Sequence, residues 1–408
     1  MESSQKYFSW GRVILVALIV GCTELMWTLY NTYVPIWLQA GNPNFNMGDT
    51  VTIGFGMGAF VTGIILTIDN IAGLFISPAI GLISDTTFTR FGRRKPWIIF
   101  AMPVMIISFI LIPVFANQIP AELSGQTDQL TSILVPFIIV LLLMLLAYAV
   151  VRTPADVIIY DITPSKHRGM ASSIANLIGA GFGVAGAIVG AILFDLNPGL
   201  PFWVGAVLSS IVITLVAFRV TEPRPEELSL DKAKKLSPKD TLNALKELPQ
   251  DSKRSLVFLY LSMFFSYFAF GQLGSFSSSY GVSVLGMSVA DSGMLYAVGG
   301  AAFLAGTIPV GFLLKKISRK TSSLIGFASF GLMGLVIYLF PSPAVVWPAL
   351  GVGGLLWTLV WVPQVPMIMD AVPSNRVLGS LEGVAAIFRM LGYDETEAAL
   401  PYLLRRLK

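Results

Sequence analysis

A chain of 408 residues that is 55% hydrophobic and only 12% charged, with a mean hydropathy of +0.75, cannot clothe a soluble protein of its size and reads as an integral membrane protein. Its single cysteine, Cys22, excludes internal disulfides and any cysteine metal cluster. The net charge of +4 and pI near 9.0 do not point to nucleic acid, because the basic residues sit in loops between apolar spans, where they set orientation.

A hydrocarbon core of about 30 Å takes roughly 20 helical residues. Such stretches fall at about 13–38, 53–80, 96–115, 132–156, 170–194, 201–219, 255–280, 292–314, 321–340 and 344–369. Continuous runs of this length predict helices, since a membrane barrel shows short alternating segments. The expected fold class is therefore an all-α membrane protein with about ten transmembrane helices. Residues Met1 to Trp10 carry one cation, Lys6, and lead into a span without a small-residue cleavage site, so the first helix is expected to stay.

Two carboxylates interrupt the first two spans. Glu24, Trp27, Asn31 and Pro35 follow i, i+3, i+7, i+11, and Thr62, Asp69, Gly73 and Ser77 follow i, i+7, i+11, i+15, giving each helix one polar stripe. At about 1.5 Å per residue, Glu24 and Asp69 lie roughly 16 Å above the same boundary, near mid-membrane. An ionised group there costs about 2.5–3.5 kcal/mol on insertion scales and asks for a reason. In the fourth span Arg152 and Asp156 are one turn apart and can pair along their own helix. Arg152 is thus expected either to balance Glu24 and Asp69 or to hold a hydroxyl-rich solute, with a carboxylate taking the coupling proton. A permanent interhelical network is the structural alternative.

Further along, Gly179, Gly183, Gly186 and Gly190 form a small-residue ridge suited to close packing. His167 is expected to be solvated in the loop beside Arg168. Residues 221–254 are the one long polar stretch, a linker in which Ser237-Pro238-Lys239-Asp240 predicts a short surface helix to about Leu248. Gln272 and Ser275 decorate the seventh span. In the tenth, Trp357, Trp361 and Gln364 fall at i, i+4, i+7, a stripe that fits a saccharide and also fits helix packing.

Placing the N-terminus in the cytosol puts the loops holding Arg90 to Lys95, Lys166 with Arg168, the linker, Lys315 to Lys320 and Arg376 on one side, and loops without Lys or Arg on the other. A multi-pass plasma-membrane protein is expected. Its halves echo each other: Pro154, Asp161 and Pro164 recur 209 residues later as Pro363, Asp370 and Pro373, and Gly81 to Lys95 is matched by Gly311 to Lys320. Repeated halves imply two similar bundles with a site between them. The expected division is 1–220 as a six-helix bundle, 221–254 as cytosolic linker, 255–391 as an incomplete second bundle and 392–408 as a cytosolic tail.

The loop Gly81-Leu82-Ile83-Ser84-Asp85-Thr86-Thr87-Phe88-Thr89-Arg90-Phe91-Gly92-Arg93-Arg94-Lys95-Pro96 resembles the signature between helices two and three of the major facilitator superfamily. It is very similar to that loop in sucrose/proton symporters and in the glycoside-pentoside-hexuronide cation symporter branch. The segment Arg152-Thr153-Pro154-Ala155-Asp156-Val157-Ile158-Ile159-Tyr160-Asp161 also resembles the fourth helix of these carriers, except that Asp156 stands where plant sucrose carriers have Arg. The resemblance implies a two-bundle helical fold, alternating access and a sugar or glycoside moved with a proton or sodium ion. It implies a gating loop built on Gly81, Asp85, Arg90, Gly92, Arg93 and Arg94, with Asp161, Arg168 and Asp370 at the matching helix ends. A charged turn of this kind can pair across a bundle interface in one state and separate in the other.

The expected coupling residues are Glu24, Asp69 and Asp156. The expected solute contacts are Arg152, Trp27, Asn31, Gln272, Trp357, Trp361 and Gln364. From Met390 the sequence reads as a soluble amphipathic tail, with Glu395, Glu397, Arg405, Arg406 and Lys408 leaving no 18-residue apolar window, so a 6 + 4 arrangement lacking helices eleven and twelve is expected. With no nucleophile–base pair, metal-ligand cluster or phosphate loop, neither an enzyme nor a cofactor is expected. The partners are a small solute, a proton or sodium ion and the lipid bilayer, and the chain is expected to be a monomer. The alternatives are a carrier for a non-sugar solute and a truncated, non-transporting membrane protein.

Overall fold

The computed structural model describes residues 8–45, 53–86, 89, 91–164, 167–222, 249–314 and 316–370. The predicted surface helix before Leu248, Pro373, Arg376 and the C-terminal tail lie outside them. Among the described residues the chain forms ten long helices: α1 Trp10–Gln39, α2 Ala59–Thr86, α3 Lys95–Ala116, α4 Thr131–Asp161, α5 Arg168–Leu196, α6 Leu200–Arg219, α7 Gln250–Ser283, α8 Val289–Leu313, α9 Arg319–Leu339 and α10 Pro343–Asp370. Each coincides with a predicted span, and nine are long and apolar enough to cross a membrane. Several run past the apolar window because polar signals carry the ends: the Ser9 side chain caps α1 by accepting from the Arg12 N–H, and Ser318 caps α9 by accepting from Thr321.

Two compact units result, one of Met1–Ser229 with Gly274–Ala297, the other of Leu230–Leu273 with Val298–Lys408. In the first, α1 is the central helix, packed on α5, α6 and α4. The glycine ridge of α5 permits this. A Cβ at Gly190 would lie 2.6 Å from Leu29, and Gly179 and Gly183 face Val20, Glu24 and Thr28 of α1. The hairpin from 274 to 297 completes this unit. Gln39 donates to Ser279 Oγ at 3.0 Å, and a Cβ at Gly293 would sit 2.9 Å from Thr32. Around this core the surface is apolar: Phe100, Leu143, Val207 and Phe218 are all exposed. In water that would be an aggregation surface; in a bilayer it is the outer face.

In the second unit α9 packs on α10, and Ser322 Oγ donates to the Leu359 carbonyl at 2.9 Å. The tightest backbone approach is between α8 and α10, where a Cβ at Gly354 would stand 2.1 Å from the Gly299 carbonyl oxygen. Backbone cannot swing aside as a side chain can, so Gly354→Ala should destabilise by about 1–3 kcal/mol, the usual cost of overpacking. Gly351→Ala, whose Cβ would meet only the Val298 side chain at 3.7 Å, should be tolerated. Thermal unfolding of the two purified variants in detergent reads the difference.

Candidate functional site

Among the described residues the first unit holds two charged clusters, and their burial differs. The first lies at the end of α2, the start of α3 and the ends of α4 and α6. Arg93 Nη2 donates to both Asp161 oxygens at 2.8 Å, Arg94 Nε donates to Asp161 Oδ2 at 2.9 Å, and Arg94 Nη1 donates to Ser84 Oγ at 3.0 Å. These side chains are only 11%, 6% and 14% exposed for Arg93, Arg94 and Asp161. No side chain of its own caps α3. Glu222, just beyond α6, does so instead: its carboxylate accepts the backbone N–H groups of Arg93, Arg94 and Lys95. An anion over three N-terminal amides meets the positive end of the helix dipole.

The glycine of the loop is explained by the same contact. Gly92 has φ +115°, and a Cβ there would lie 2.7 Å from the Glu222 carboxyl. Lys95 completes the lock by donating from Nζ to the Ala217 and Val220 carbonyls at 2.6 and 2.7 Å, closing the C-terminus of α6. Burial pushes the Glu222 carboxyl above its ordinary range, against the pull of the three amides. Asp161, Ser84 and Glu222, the partners described for Arg93 and Arg94, belong to the same unit as the loop.

The second cluster is in mid-helix. Arg152 on α4 donates from Nη1 to Glu24 on α1 and to Tyr148 Oη at 2.9 Å, and from Nε to Asp156 at 3.0 Å. Its members are far more open than the first cluster, with Arg152 35%, Glu24 27% and Asp156 47% exposed. Trp27 stacks on Tyr148 at 4.7 Å and 17°, so an aromatic pair borders the charges. Gly179 supports the arrangement from α5, its missing Cβ facing Glu24 Cγ at 3.5 Å. Asn31 is buried, with its amide donating to the Trp27 carbonyl at 3.1 Å.

In the second unit the stripe on α10 separates into different environments. Trp357 is 1% exposed, packed among Phe270, Phe327 and Phe330. Gln364 is also buried and donates to Ser266 Oγ on α7 at 2.5 Å. Both side chains are enclosed within the unit. Trp361 keeps an intermediate exposure, with Tyr267 at 5.0 Å. His167 is half-buried rather than solvated: it stacks on Phe8 at 5.2 Å with Trp10 edge-on.

Asp69, Gly81 and Asp85 fall within α2, Gln272 within α7, Arg168 at the start of α5 and Asp370 at the end of α10. Their side chains, and Arg90 altogether, are outside what the structure describes. Sequence reasoning missed Glu222 and Tyr148. Tyr148 had a signal, since it lies one helical turn before Arg152; Glu222 looked like one more acid of the linker.

Among the described residues, ten long helices, nine of them apolar enough to cross a membrane, with a charged cluster inside the span and a clamped basic turn, fit a polytopic membrane carrier. Residues 16–393 match the Major Facilitator Superfamily, and the chain belongs to it. It is 23% identical over 341 residues to a class D tetracycline resistance protein of Salmonella ordonez, covering 79% of this chain and 74% of that one. It is 24% identical over 104 residues to a sucrose transport protein of Oryza sativa subsp. japonica, covering 26% and 17%. Among solved structures, a bacterial homologue of the human lysosomal transporter Spinster superposes with TM-score 0.70 at 16% identity, covering 98% of this chain and 82% of that one. A D-xylose-proton symporter superposes with TM-score 0.66 at 14% identity, covering 96% and 88%. These structural likenesses establish the shared fold.

Proposed function

We propose that the protein is a secondary active transporter that moves a sugar or glycoside together with a proton by alternating access. The observation that carries this reading is the sharing of Arg152 between Glu24, Asp156 and Tyr148 beside the Trp27–Tyr148 stack. A guanidinium shared by two ionised carboxylates leaves the cluster with one negative charge in excess, which a single proton on a carboxylate cancels. Protonation of Glu24 removes one partner and frees donor capacity for a solute hydroxyl. The Trp27 and Tyr148 rings supply the flat apolar surface that a sugar ring can stack on. Coupling then follows from linkage: the solute binds best when the proton is bound, and the converse holds by necessity. Asp69, at the depth of Glu24 by residue count, is proposed as a second coupling carboxylate. Trp361 is proposed as a solute contact in the second unit.

The sucrose transport relative and the xylose-proton structural neighbour agree with this cargo. A carrier for a non-sugar amphiphile is the second reading, favoured by the longer alignment to a tetracycline resistance protein. Proteoliposomes with an imposed inward pH gradient separate them. Accumulation of labelled disaccharide that collapses with a protonophore is expected. Tetracycline movement without any sugar uptake would overturn the sugar reading.

A further inference from the structure

Neither charged cluster uses the outer face of α3 and α6, where the first unit carries a groove of about 430 Å³. Its walls are Ile110 on α3 and Val207, Ser210, Ile211, Thr214 and Leu215 on α6. The two hydroxyls ask for no ligand. Ser210 donates to the Ala206 carbonyl at 2.8 Å and Thr214 to the Ser210 carbonyl at 2.7 Å, so the groove presents hydrocarbon throughout.

The row Val207, Ile211, Leu215 continues at the same i+4 spacing to Arg219, an exposed cation in the last turn of α6. From Arg219 back to Val207 is twelve residues, about 18 Å of helix. One leaflet of a hydrocarbon core of about 30 Å has nearly that depth. Glu222, the acid nearest in sequence, is 5% exposed and has its carboxylate on the amides of α3, so it does not cancel the charge that Arg219 shows to the interface. We propose that this groove is a site for one anionic phospholipid of the leaflet on the side of the Gly81–Pro96 loop. An acyl chain lies along α6 between α3 and α6, and the phosphate rests on the Arg219 guanidinium.

Native mass spectrometry of the full chain in micelles doped with equal phosphatidylglycerol and phosphatidylcholine of one chain length tests it. Phosphatidylglycerol should be retained over phosphatidylcholine by about fivefold, the worth of one basic residue near an anionic surface. Arg219→Gln should bring that ratio close to one, and Arg219→Lys should keep most of it. Thr214→Phe, which fills the groove from an exposed position, should lower retention of both lipids. Arg254→Gln, a change of equal charge on α7, should leave the ratio alone. Equal retention of both lipids by the unaltered chain would overturn the site. So would an Arg254→Gln loss as large as that of Arg219→Gln, or undiminished retention by Thr214→Phe.

Discussion

Asp161→Ala should cost about 3–5 kcal/mol of stability, the range found when one partner of a buried ion pair is removed. The reason lies in what stays behind. Arg93 and Arg94 are 11% and 6% exposed, and each directs a donor at Asp161 within 2.9 Å. Without that carboxylate two guanidinium groups remain where water reaches them poorly, while Glu222 still pins their backbone and prevents their escape. Asp161→Asn should fall between, since one amide oxygen still accepts. Adding Arg93→Gln to Asp161→Ala should recover part of the loss, because one buried cation fewer is then left without the Asp161 carboxylate. Thermal unfolding of the four proteins in one detergent measures this. A loss below 1 kcal/mol for Asp161→Ala would mean that these cations are ordinary surface anchors.

The ten helices were legible because a membrane span is written in length and hydropathy alone, quantities that a single sequence carries in full. The pairing of Arg152 with Asp156 was legible too, since an i, i+4 pair needs only helix geometry. The role of Glu222 was not. It acts on backbone amides of Arg93 to Lys95, about 130 residues away in sequence, and a backbone donor leaves no mark in the residue code. The same limit separates Trp357 from Trp361. One turn apart on one stripe, they have equal claims by periodicity, yet Phe327 and Phe330 of α9 close over Trp357. Burial is decided by which neighbour fills the space, which periodicity does not contain.

Glu24→Gln should abolish gradient-driven accumulation, by at least about tenfold, while changing stability by no more than about 1 kcal/mol. Both halves of that expectation follow from exposure. At 27–47% exposed, the Arg152 cluster is only partly enclosed by protein, and Glu24→Gln still leaves Arg152 with Asp156 and Tyr148, whereas the Asp161 cluster is nearly sealed. Glutamine keeps an acceptor for Arg152 Nη1 and the shape against Gly179, but it cannot take up a proton. Exchange of labelled for unlabelled solute should therefore persist in Glu24→Gln while uphill uptake fails. Arg152→Lys should lose both, since one ammonium on a flexible stem cannot hold Glu24, Asp156 and Tyr148 in the fixed geometry that Nε and Nη1 provide. Unimpaired accumulation by Glu24→Gln would make the cluster a permanent brace between α1 and α4. A loss of stability matching that of Asp161→Ala would say the same, because only a brace is selected for the energy it contributes at rest.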